Sequence, residues 1–63
     1  MNTEFHVVEK TSAGDVLVLT ATNRFDAVGQ ARPLRFSQKK NVDVYEVDAD
    51  DPVYDDQTKL TGW

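Results

Sequence analysis

His6 carries the only imidazole in this 63-residue chain, and so the only side chain whose unperturbed charge changes near neutral pH. A general base there would need an orienting carboxylate and a nucleophile within hydrogen-bond reach. Glu4 stands two residues away, and Glu46 comes near if the first and third strands pair. Ser12 and Ser37 are the only serines, and neither has the flanking glycines of a nucleophile elbow. The residues therefore predict a surface or sheet-edge histidine and no enzyme.

Metal and cofactor chemistry is equally thin. There is no cysteine and only one histidine, which excludes disulfides, thiolate zinc sites and multi-histidine sites. The acid-rich run from Asp48 to Asp56 invites comparison with a calcium-binding loop. Counted from Asp48, the sixth position is Val53 where the turning glycine belongs, and the twelfth is Lys59 where a glutamate belongs. Gly14, Gly29 and Gly62 are isolated, so no glycine-rich loop cradles a phosphate. No metal and no cofactor are expected.

Charge is where the sequence is informative. The net charge of −4 is unevenly spread. Residues 24–40 carry Arg24, Arg32, Arg35, Lys39 and Lys40 against Asp26 alone, a net of +4. Residues 41–63 carry Asp43, Glu46, Asp48, Asp50, Asp51, Asp55 and Asp56 against Lys59, a net of −6. Aromatic rings interleaved with carboxylates suit a basic partner, because rings supply desolvated contact while charges steer the encounter. The leading expectation is a small protein-binding module that occupies a partner's basic surface through Asp48, Asp50, Asp51, Tyr54, Asp55, Asp56 and Trp63, with Tyr45 alongside. The alternative is a nucleic-acid surface on Arg32, Arg35, Phe36, Lys39 and Lys40, whose cations would follow phosphates while Phe36 stacks on a base. A third reading is a structural homo-oligomer joined through a bare sheet face or an edge strand.

These residues must be held by a very small fold. Glu4 to Lys10 alternates as a strand, with Phe5, Val7 and Glu9 on one side and His6, Val8 and Lys10 on the other. Thr11 to Asp15 forms a glycine-containing turn into a second strand, Val16 to Ala21, which completes a hairpin. That second strand is apolar on both faces, which predicts a covered or central position. Asn23 is a good N-cap for a short helix from Arg24, with Phe25, Val28 and the Arg32 stem on one buried line and Ala27, Ala31 and Leu34 on the next. The two alanines predict close approach to a sheet, and Pro33 ends or kinks the helix at Arg32. Phe36 is the one large anchor in the polar connection that follows. Asn41 to Asp48 is the third strand, with Val42 and Val44 on one face and Asp43, Tyr45 and Val47 on the other.

The fold class that results is α+β: a three-stranded antiparallel sheet in ββαβ order, with the helix across one face. The right-handed crossover rule sets the third strand beside the first, in spatial order 2-1-3. Residues 1–48 form this mini-domain, and 49–63 form an acidic C-terminal extension. Pro52 at a first helical position predicts a one- or two-turn helix there, and an unfolded tail is the other outcome. Tyr54, Leu60 and Trp63 are the groups available to cover the second sheet face.

In size, element order and acidic end, the chain resembles the small accessory proteins that bacteriophages encode to bind or inhibit host proteins. The likeness is one of architecture and charge, and it assigns no site. The longest apolar run, Val16 to Leu19, is far too short for a membrane span, and no signal-peptide pattern opens the sequence. A cytoplasmic protein is expected, in the host cytoplasm if phage-encoded.

Overall fold

The computed structural model describes residues 2–63. Three strands, β1 (Thr3–Thr11), β2 (Gly14–Ala21) and β3 (Val42–Asp48), form one sheet, and a helix, α1 (Arg24–Arg32), joins β2 to β3. The order is β2-β1-β3, with both pairings antiparallel. β2 and β3 therefore run parallel on either side of β1, as a crossover through a helix requires. β1 takes the centre because its alternation supplies an apolar side chain to each face: Val7 and Val8 are both fully buried. Gly14 closes the hairpin at a φ of +120°, a conformation that side chains rarely adopt.

On the helix side, Val7, Val42 and Val44 meet Ala27 and Ala31, with Phe5, Leu19, Ala21, Leu34, Leu60 and Trp63 packed around them. Both alanines are fully buried, so the helix backbone lies close upon the sheet. Phe25 is 90% exposed, contrary to the expected buried line. At 3.6 residues per turn it sits about 120° round from Ala31, and the narrow stripe set by the alanines cannot include it. Asn23 caps α1 through its Oδ1, which accepts from the Asp26 amide at 2.9 Å, while its Nδ2 donates to the Asp26 carboxylate at 3.1 Å. Replacing Asn23 with Ala is expected to lower stability by about 1 kcal/mol, read from the thermal midpoint.

The regular helix stops at Arg32 as Pro33 dictates, but the chain continues into a wider π-helical turn over Pro33–Ser37. That turn is held by bonds from the Gln38 amide to the Pro33 carbonyl and from the Lys40 amide to the Leu34 carbonyl. Phe36 does not anchor it and is 63% exposed. Lys39 reverses the chain in the left-handed region, at a φ of +56°.

The far side of the sheet holds a second, smaller cluster of Val8, Tyr45 and Val47, covered by Tyr54. Residues 49–63 form no helix. Instead, Asp55 organises a tight turn, its Oδ1 accepting from the Gln57 and Thr58 amides. This local side-chain capture of the backbone competes with helix formation and prevails over the favourable Pro52. Beyond the turn the chain runs along the outer edge of β3. The Glu46 amide donates to the Thr58 carbonyl at 2.9 Å, and the Leu60 amide donates to the Val44 carbonyl at 2.8 Å. Leu60 and Trp63 then reach the helix side, so the segment wraps the β3 edge.

β2 differs from expectation. It is an edge strand rather than a central one; Leu19 and Ala21 pack against the helix-side core, but Val16, Leu17 and Val18 are each at least 40% exposed. Among the described residues, no helix is long and apolar enough to cross a membrane.

Candidate functional site

His6 is not at a sheet edge. It lies in the central strand and is 5% exposed. Burial demands partners for both ring nitrogens, and two are present. Nε2 lies 3.0 Å from Glu4 Oε1, and Nδ1 lies 2.7 Å from the Tyr54 hydroxyl. A neutral imidazole satisfies both, with Nε2–H donating to the carboxylate and the Tyr54 O–H donating to Nδ1. Burial, with the Asp15 carboxylate adding to it, pushes the Tyr54 phenol above its ordinary pKa. Tyr54 is thus a protonated donor at neutral pH, unsuited to nucleophilic attack. Ser12, in the β1–β2 turn, and Ser37, at the end of the π-helical turn, are not among the partners of His6. The Glu4–His6–Tyr54 chain acts as a latch that ties residues 49–63 to the sheet.

The expected acidic surface divides into two kinds of residue. Asp50, Asp51, Asp55 and Asp56 are exposed, while Asp48 is half-buried at the end of β3. Among the described residues, only Asp56 of these five has an ion pair, a loose one with Lys59 at 3.9 Å. No group of three metal-ligating side chains converges among the described residues. The aromatic members point inward. Tyr54 packs on Tyr45 with ring centroids 5.1 Å apart, and Trp63 is half-buried beneath the Arg35 guanidinium, 4.2 Å from the ring centroid. Both rings help hold the segment in place.

The basic stretch shows the reverse arrangement. Arg32, Phe36, Lys39 and Lys40 are exposed. Arg35 alone is engaged, stacked on Trp63 and paired with Asp43 at 3.3 Å. The residues that sequence reasoning missed are Arg24 and Phe25, also exposed on α1. Phe25 could have been found by measuring its angle from the Ala27–Ala31 stripe rather than by its hydrophobicity. A shallow groove of about 210 Å³ lies here, lined by Arg24, Phe25, Val28, Arg32, Gly62 and Trp63.

The two charge blocks meet at one place. Tyr54 sets the start of the acidic segment against the face away from α1, but the segment ends on the helix side, where Trp63 lies beneath Arg35, which in turn pairs with Asp43. Lys10, at the hairpin end, is held in its charged form by the Tyr45 side chain and by Asp15, with which it pairs at 3.0 Å. Compared with protein-family models, curated proteins and solved structures, the chain has no match.

Proposed function

We propose that the chain is a non-enzymatic protein-binding module, docking through the outer surface of α1 and the turn after it. The observation that carries this reading is the exposure of Phe25 at 90% and Phe36 at 63%, with Arg24 and Arg32 exposed on the same helix as Phe25. Aromatic and arginine side chains are the types that dominate binding energy when a partner desolvates them. Large rings left in water within one helix–turn unit are costly in a chain so short of apolar side chains. The exposed carboxylates Asp50, Asp51, Asp55 and Asp56 orient the approach of a partner of uneven charge.

The test is retention of protein from cell extract on the immobilised chain, compared with a Phe25→Ser, Phe36→Ser variant of unchanged circular dichroism. A retained protein that is lost with the two rings is the expected result. Retention indifferent to both rings overturns the reading. A second reading, nucleic-acid binding by the same unit, is favoured by Lys39 and Lys40, which are exposed and unpaired among the described residues. Single-stranded oligonucleotides added at low salt discriminate: a shift that fades steeply with salt selects this reading over protein binding.

A further inference from the structure

The sheet has two edges, and the chain treats them differently. The β3 edge is closed by residues 58–60, through the Glu46–Thr58 and Leu60–Val44 backbone bonds and the Tyr45–Lys59 bridge. Among the described residues, no backbone bond from another segment reaches the outer edge of β2. An open edge is a row of unpaired amides and carbonyls, and proteins ordinarily guard one with proline, lysine, a β-bulge or a covering segment. Among the described residues, β2 has no proline, lysine or covering segment, and its one irregularity is a single bulge at Val18. Its sequence, Gly-Asp-Val-Leu-Val-Leu-Thr-Ala, is β-branched and apolar, and Val16, Leu17 and Val18 are 49%, 49% and 40% exposed. By register Val16 shares the face of Glu9 and Leu17 the face of Val8, so both sides of the edge are apolar.

We infer that β2 pairs edge to edge, antiparallel, with β2 of a second copy, giving a continuous six-stranded sheet. Charge selects this occupant. The strand has one charged residue, Asp15, at its start and already paired with Lys10. A two-fold axis normal to the sheet places the two Asp15 side chains at opposite ends of the joint, where a parallel joint would set them side by side. The same axis puts the acidic segments, each wrapped on β3, at the two outer margins of the dimer. Two chains of net charge −4 therefore join at their least charged margins. The bulge at Val18 bends the strand and breaks the regular ladder there, so the joint must form through the residues on either side of it. Each copy contributes the apolar flank that the other needs, as an isologous joint requires. Both helices then lie on one side of the sheet.

Sedimentation equilibrium over a wide concentration range tests this on the full chain. The expected result is a mass rising to that of a dimer, with amide-exchange protection of residues 16–20 rising in parallel. The Val16→Lys, Val18→Lys variant places guard residues on the edge and should weaken dimerisation at least about tenfold. Both positions are exposed, so the monomer fold should persist; if it does not, the concentration dependence of wild-type protection still decides. A monomer at every concentration, or a dimer with residues 16–20 unprotected, overturns the inference. So does a folded lysine variant that dimerises as before. None of these outcomes bears on docking at Phe25 and Phe36.

Discussion

Removal of Pro52–Trp63 is expected to unfold the protein. Three partly buried apolar side chains go with that segment: Tyr54, Leu60 and Trp63, each packed against the sheet or helix. Full burial of such groups contributes about 1.5–3 kcal/mol each, so half-burial of all three amounts to roughly 3–4 kcal/mol. The deletion also strips the hydrogen bond from His6 Nδ1, leaves a buried ring nitrogen unpaired, and opens the β3 edge. Loss of Asp55 and Asp56 acts in the opposite direction by relieving repulsion, but exposed charges are worth well under about 1 kcal/mol each. At 0.05–0.15 kcal/mol per residue, a chain of this length has a total stability of roughly 3–9 kcal/mol. Burial therefore decides the sign, and the truncated chain should give a disordered circular dichroism spectrum with no cooperative melt. In the full chain, Trp63 should emit to the blue of free tryptophan and resist quenchers, since Arg35 stacks on its ring. An unchanged thermal midpoint after truncation would make the segment a binding arm instead.

The sheet and its order were legible in the sequence because they depend on backbone-level rules. Alternation at residues 5–10 and 42–47 assigned each side chain to the correct face, and the handedness of a crossover placed β3 beside β1. The errors share one cause. Hydrophobicity alone predicts burial for Phe25 and the Val16–Val18 run and an anchoring role for Phe36, yet burial depends on what lies opposite. In a chain this short there is not enough structure to cover every apolar group. The helix is one narrow stripe wide, and the single covering segment lies on β3 rather than β2. His6 was misplaced for the converse reason. A polar residue in the central strand of a small sheet is costly, and besides the neighbouring Glu4 it takes a partner 48 residues away, Tyr54, to satisfy the second ring nitrogen. No local pattern announces that pairing. Tyr54 covers the second sheet face, as the sequence allowed, while Leu60 and Trp63 pack on the helix side instead, and the most exposed rings are Phe25 and Phe36 on the basic unit.

A second large effect is expected at Ala31, where the contact of helix and sheet can be tested without touching any charge. Ala31 is fully buried against Val7, Val42 and Val44, and its methyl group fixes how closely α1 approaches the sheet. Ala31→Leu adds three carbons where there is no room. The helix must lift or the valines must leave their rotamers, at a cost of about 1–3 kcal/mol. Intrinsic helix propensity hardly enters, since leucine ranks close behind alanine. For a domain of this size the thermal midpoint should fall by roughly 10 °C or more. Gly29 in the same helix supplies the control. A methyl group added there meets nothing within 4 Å, so Gly29→Ala should raise stability by up to about 1 kcal/mol through helix propensity alone. Opposite shifts from two substitutions two residues apart would locate the tight contact on the Ala27–Ala31 stripe. If Ala31→Leu proves neutral, α1 lies looser on the sheet than these contacts imply. The exposure of Phe25 would then be a consequence of a movable helix rather than of a fixed binding face.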